Sequence, residues 1–174
     1  MNIILIGMPG SGKSTLSKLL SSHLNMKYVD IDQLIIQKIE GKLQDYIDTN
    51  GNEKFLYLEK TILKECIENA TNCVISPPGS IIYHSEIYDY ILKYKTKFSL
   101  IYLKCDLSIL LERTNNFKDR GVVIDYSYSD PIQKMYNDRC ILYEKWADVT
   151  IQSEGTPSNV LKNINNTYLK SNLY

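Results

Sequence analysis

From Gly7 to Ser14 the chain reads Gly-Met-Pro-Gly-Ser-Gly-Lys-Ser, which fits the spacing Gly-x-x-x-x-Gly-Lys-Ser/Thr. Phosphate chemistry needs these residue types in this order. Glycines let the backbone curl until successive N–H groups point at phosphate oxygens. A helix opening at Lys13 adds the positive end of its dipole. Lys13 then reaches the β and γ phosphates, and the Ser14 hydroxyl can ligate magnesium. Gly10, Ser11, Gly12, Lys13, Ser14 and Thr15 are accordingly candidate nucleotide-binding residues, Lys13 also being catalytic and Ser14 a metal ligand.

Asp30-Ile31-Asp32 follows soon after. Strand alternation would put both carboxylates on one side and send Ile31 into the core. One carboxylate, Asp30, can help hold magnesium. The other, Asp32, can accept a proton from an attacking hydroxyl or orient it. The alternative is that Asp32 only caps the next helix. His23 and His84 show no ligand spacing and read as ordinary surface or helix residues. Cys66, Cys73, Cys105 and Cys140 form no C-x-x-C pair and read as small buried hydrophobes.

These groups need a scaffold. Asn2 to Gly7 is a short apolar run for a buried strand, followed by helical spacing from Lys13 to Leu24. Further strands are expected at Tyr28–Ile31, Cys73–Ser76, Phe98–Cys105 and Val149–Gln152. Helices are expected around 34–39, 43–49, 55–67, 82–94, 107–113, 131–146 and 157–169. Residues 115–128 lack any period and read as a lid loop. The tail after Leu169 is expected to fray. Alternating strands and helices imply an α/β fold of three layers, a central parallel sheet of about five strands with helices on both faces. Ligands should bind outside the carboxyl ends of its strands.

With 174 residues, 44% of them hydrophobic, the chain suits one domain with a real core. Twenty basic and twenty acidic residues cancel, which argues against a nucleic-acid or anionic-membrane binder. No apolar run approaches the roughly 20 residues of a membrane span, and no leader segment is evident. The expectation is a cytoplasmic, monomeric nucleotide-binding protein that engages neither nucleic acid nor membrane.

The ordered set of motifs resembles the shikimate kinase family across nearly the whole chain. It comprises the phosphate loop, Asp30-x-Asp32, Gly51-x-x-x-Phe55-x-x-x-Glu59, Pro78-Gly79-Ser80 after the third strand, Arg113 and Arg120 seven apart, and Arg139-x-x-x-Tyr143-x-x-x-Ala147-Asp148. The resemblance implies a single P-loop kinase domain over 1–174, with a mobile lid at about 115–128 and acceptor-binding helices at about 32–62. It implies an ATP- and Mg2+-dependent kinase converting shikimate to shikimate 3-phosphate, a step of aromatic amino acid biosynthesis. Asp32 would contact the acceptor hydroxyls and serve as base. Arg139 would bind the acceptor carboxylate, Gly79 would offer its N–H, and Glu59 would buttress the site by orienting Arg139. Arg120 would swing in with the lid to neutralise the transferring phosphate. Arg113 would lie on the adenine with Pro157 nearby. Arg113 and Arg120 as solvated loop charges, and Arg139 as a surface helix residue, are the plainer alternatives. Tyr143 and Trp146 read as core.

Three positions depart from the family pattern. Leu56 stands where an arginine pairs with the later arginine to clamp the acceptor carboxylate. A glycine triplet has become Pro78-Gly79-Ser80, losing one N–H donor at proline. The lid's usual Arg-Pro is Arg120-Gly121, implying a looser hinge. The competing readings are therefore a kinase of the same scaffold acting on another hydroxylated acceptor, and a non-catalytic nucleotide-binding paralogue.

Overall fold

Five consecutive residues of β1, Asn2–Ile6, are buried, and the branched apolar side chains of Ile3, Ile4, Leu5 and Ile6 suit a strand covered on both faces. Alternation divides them. Ile4 and Ile6 join one core layer, while Ile3 and Leu5 join the other. The computed structural model describes residues 1–115, 117 and 121–169. Among these, the sheet has five strands in the order β2-β3-β1-β4-β5, with β2 at Lys27–Asp30, β3 at Cys73–Ser76, β4 at Phe98–Lys104 and β5 at Val149–Gln152. Every pairing is parallel; Ile4 lies between Ile75 and Leu100, and Leu103 faces Ile151.

One face is covered by α1 (Lys13–Leu24) and α8 (Pro157–Ile164), which supply Leu16, Leu20, Val160 and Ile164. The opposite face carries the larger core. It is built with α2 (Ile31–Ile39), α3 (Leu43–Asn50), α4 (Asn52–Glu68), α5 (Ser85–Lys93), α6 (Leu107–Thr114) and α7 (Pro131–Trp146). This is the expected three-layer α/β arrangement. Because β3 and β4 flank β1 while the chain passes to opposite sides, the crevice opens at the carboxyl end of β1, where the phosphate loop begins.

Three local differences from the sequence expectations have physical causes. Helix α2 starts at Ile31 rather than Leu34 because the Asp30 carboxylate accepts from the Gln33 N–H at 3.3 Å and caps it. Strand β2 therefore ends at Asp30, and the two aspartates are not set by strand alternation. The single helix expected from Ile82 is a 3-10 turn, Gly79–Tyr83, then α5, with the break at His84 (φ −101°, ψ 80°). The last helix gives way at Asn165–Leu169 to a wider, π-type turn. The expected fraying after Leu169 falls outside the described residues. All four cysteines are free, Cys73 and Cys105 buried and the other two half-buried.

Candidate active site

At the mouth of β1 a cavity of about 320 Å³ is lined by Gly10, Gly12, Lys13, Ser14, Thr15, Asp32, Gly79, Arg113 and Arg139, together with Pro9, Pro78, Ser80 and residues 121–123. A second hollow of about 290 Å³ continues past Arg113 and is bounded by Gly10, Ser11, Gly12, Thr15, Ser153, Gly155 and Pro157. Most residues expected at the nucleotide and acceptor thus converge from the phosphate loop, α2, the 3-10 turn, α6, α7 and α8, whereas Asp30 and Glu59 line neither hollow. Arg120 lies outside the described residues.

The phosphate loop leaves the first-turn N–H groups of α1 without a side-chain cap, the arrangement that favours an anion. Lys13 is buried, and its ammonium donates to the Gly7 and Met8 carbonyls at 2.9 and 3.0 Å. Arg113 donates to the Ser153 carbonyl at 3.3 Å and to the Gly10 carbonyl at 3.5 Å, bridging the two hollows. Arg113 thus lies on α6 rather than in a loop, and it is exposed.

Asp30, not Asp32, is the cap of α2. Its other oxygen accepts from the Tyr28 hydroxyl at 2.7 Å, and the Ser14 and Ser76 hydroxyls lie 3.3 Å apart. Among the described residues no cluster of three or more His, Cys, Asp or Glu is built. A few hard oxygen donors beside a phosphate site suit Mg2+, which keeps several waters and takes the rest from phosphate. The chemistry of Ser14 and Asp30 fits that ion.

Asp32 is freed for the cavity. Burial pushes its carboxyl up to about 6, the nearby Lys13 charge pulls against that, and Asp30 and Glu59 add to the rise. A carboxyl of that value is poised to accept a proton near neutral pH.

Arg139, on α7, is 1% exposed. It donates from Nε to the Tyr83 hydroxyl at 3.1 Å and from Nη2 to the Val123 carbonyl at 3.0 Å, and its guanidinium carbon lies 5.1 Å from the Tyr83 ring centre. Among the described residues no carboxylate pairs with it. A buried cation without an acid partner is costly, so the site is suited to an anionic ligand. The surface-residue alternative for Arg139 is excluded.

Gly79 is required by close approach. A Cβ there would lie 2.9 Å from Pro9 Cδ and 3.1 Å from both Arg139 Nη1 and the Tyr143 hydroxyl. Tyr143 and Trp146 are core residues as expected, yet Tyr143 also donates to the Gly79 carbonyl at 2.5 Å.

Several expectations are revised here. Glu59 does not orient Arg139 directly. It accepts from Ser80 Oγ at 2.6 Å and lies 2.8 Å from His84 Nε2. His84 is consequently no surface residue but 7% exposed. Gly121 occupies a backbone conformation that the family's proline could not share. Its φ of +62° is one proline cannot adopt, and a Cβ would meet Leu43 Cβ at 2.4 Å. Sequence reasoning also missed Tyr83, Val122 and Val123. No local motif marked them, because their roles arise from contact with Arg139 and the cavity.

The shikimate kinase family model matches residues 9–169. A shikimate kinase of Sulfurihydrogenibium sp. (strain YO3AOP1) is 32% identical over 167 residues, covering 94% of this chain and 95% of that protein. One from Staphylococcus aureus (strain MRSA252) is 34% identical over 114 residues, 66% of this chain and 63% of that protein. Among solved structures, shikimate kinase from Aquifex aeolicus superposes with a TM-score of 0.82 at 28% identity, covering 99% of this chain and 98% of that one. The Acinetobacter baumannii enzyme in complex with shikimate gives 0.85 at 24% identity, with 99% and 95% covered, a likeness of fold.

Proposed function

The chain belongs to the shikimate kinase family, and on that premise we propose that it transfers the γ-phosphoryl group of ATP to a ring hydroxyl of shikimate, giving shikimate 3-phosphate and ADP. The observation that carries the acceptor half is Arg139, a buried guanidinium with no described acid partner, in the same cavity as Lys13 and Asp32. An acceptor that holds a carboxylate at one end and a hydroxyl at the other would span those groups.

Phosphoryl transfer asks the protein mainly for position and charge. The α1 N–H groups and Lys13 hold the phosphates, with Arg113 and Pro157 beside the base in the second hollow. Asp32 takes the proton of the acceptor hydroxyl. Arg139 fixes the carboxylate by a charge-assisted pair, and the Gly79 N–H and Glu59 complete the acceptor side. Arg120 neutralises the transferring group when the lid over 115–128 closes, and the helices over about 32–62 clasp the acceptor. Ser14 and Asp30 would hold Mg2+, which would offset phosphate charge. The whole of 1–174 acts as one P-loop kinase domain.

The enzyme acts as a monomer in this reading. No helix among the described residues is long and apolar enough to cross a membrane. The balanced charge and the free thiols support a cytoplasmic enzyme that engages neither nucleic acid nor membrane.

The test is ATP turnover with and without shikimate, with the product identified by phosphorus NMR. Shikimate-dependent ADP release with one new phosphate ester is the expected result. ATP hydrolysis that shikimate leaves unchanged would remove the acceptor assignment.

A further inference from the structure

Glu59 is fully buried on α4, and neither Leu56 nor Leu63, about one turn to each side, can offset its charge or donate to it. Its two oxygens are served by a single short segment. Ser80 Oγ donates to Oε2 at 2.6 Å, and His84 Nε2 stands 2.8 Å from Oε1. Ser80 and His84 are themselves 6% and 7% exposed. With Ser80 donating to one oxygen, an Nε2–H on His84 satisfies the other.

Ser80 and His84 sit near opposite ends of the 3-10 turn Gly79–Tyr83, so one carboxyl fastens the turn at both ends. The turn presents two groups to Arg139. Its Gly79 is the residue that Arg139 Nη1 and the Tyr143 hydroxyl approach, and its Tyr83 hydroxyl accepts from Arg139 Nε at 3.1 Å. His84 is held by backbone too. Its N–H donates to the Ile81 carbonyl at 3.0 Å, and its carbonyl accepts from Ile87 at the head of α5. Without the His84 side-chain bond the Glu59 carboxyl fastens the turn only at Ser80, and the end carrying Tyr83 keeps its backbone bonds and the Arg139 contact alone.

We propose that His84 is a positioning residue for the acceptor: through Glu59 it holds the Gly79–Tyr83 turn, which sets where Arg139 presents its guanidinium. This deepens, and rests on, the assignment of Arg139 to the acceptor. His84 touches no reacting atom. Its effect falls on acceptor binding, because the nucleotide residues come from the phosphate loop, α6 and the start of α8.

The experiment compares His84→Phe, His84→Gln and His84→Asn in steady-state kinetics with shikimate and ATP varied separately. Glutamine places an N–H donor near the His84 Nε2 position, and asparagine falls one bond short of it. His84→Phe is expected to raise the shikimate KM about tenfold, the loss of one bond to a charged group, with the ATP KM within about twofold. His84→Gln restores the shikimate KM and His84→Asn does not. An unchanged shikimate KM in His84→Phe, an equal rise for ATP, or identical behaviour of Gln and Asn overturns the proposal. Should His84→Phe fail to fold, the Gln and Asn pair decides alone. If the unaltered chain does not phosphorylate shikimate, the acceptor assignment fails separately. Positioning is then decided by hydrogen exchange at the Ile81 and His84 amides with ADP bound. Exchange about tenfold faster in His84→Asn than in His84→Gln supports it, and equal rates overturn it.

Discussion

Arg139 donates from Nη2 to the Val123 carbonyl at 3.0 Å, tying the buried cation of the cavity to the segment that follows Arg120. Acceptor binding and lid position therefore share one side chain. Arg139→Met is expected to raise the shikimate KM by about a hundredfold or more, since hydrogen bonds to a charged group contribute about 1.5–3 kcal/mol each. ADP affinity, measured by calorimetry, should stay within about threefold. Arg139→Lys should not rescue. A single ammonium cannot serve Tyr83, Val123 and a carboxylate with a planar fork. Parallel losses of acceptor and nucleotide affinity would place Arg139 in the general fold instead.

Asp32 lies in the cavity with its carboxyl pushed up to about 6, chiefly by burial. A base works only when deprotonated, so kcat/KM should fall as pH drops through about 6. Asp32→Asn should cut the rate by roughly 10²–10⁴-fold. Stability should move the other way. A carboxyl whose folded pKa exceeds its unfolded value binds its proton more tightly in the fold. Its ionised form thus costs stability above about pH 6, and that cost is relieved as pH falls toward 4. Asp32→Asn removes the ionisation and should stabilise the protein by roughly 1–3 kcal/mol at pH 7 in urea titration. Lower stability with lost activity would assign Asp32 a structural role.

The scaffold was legible in the chain because its causes are local. The continuous apolar run of β1, helical spacing in α1 and the glycine-lysine loop each act within a few residues. Asp32 and Arg139 were legible for a different reason: their residue types in ordered motifs admit few chemistries. What stayed hidden depended on contacts distant in sequence. Nothing near His84 signals that Glu59, 25 positions earlier, will meet it. The cap of α2 was hidden because Asp30 and Asp32 are equally good candidates by type, and only the end of β2 decides between them. At Gly121 residue type alone did not show why proline is absent, since that depends on Leu43, distant in sequence, where a Cβ would have to sit.

Gly121 holds φ at +62° with no room for a Cβ beside Leu43. Gly121→Ala should destabilise the protein by about 1–3 kcal/mol, the range for a strained left-handed residue. It should also raise the shikimate KM, because Val122 and Val123 follow directly and line the cavity. Gly121→Pro should be worse, its ring fixing φ near −65°. Thermal denaturation and acceptor kinetics on both variants provide the check. A proline variant as stable and active as the parent would mean that the segment adopts another backbone during turnover.

Leu56 sits half-buried on α4, three residues before Glu59 and therefore its neighbour on the helix surface. The described cations lining the cavity are Lys13, Arg113 and Arg139. Lys13 is engaged with the phosphate loop and Arg113 with Gly10 and Ser153, leaving Arg139 as the described cation at the acceptor end. A carboxylate held by one arginine instead of two forgoes about 1.5–3 kcal/mol, or roughly ten- to a hundredfold in affinity. An apolar side chain at position 56 adds nothing to compensate a desolvated carboxylate. Shikimate is therefore expected to bind with a high KM, and Leu56→Arg should improve kcat/KM by at least about tenfold, chiefly through KM. The introduced guanidinium has a lone pair of Glu59 to orient it even with Ser80 and His84 in place. Leu56→Met, of similar volume and without charge, should bring no gain. A micromolar shikimate KM in the unaltered chain, with no benefit from Leu56→Arg, would mean that another cation already supplies the second arm.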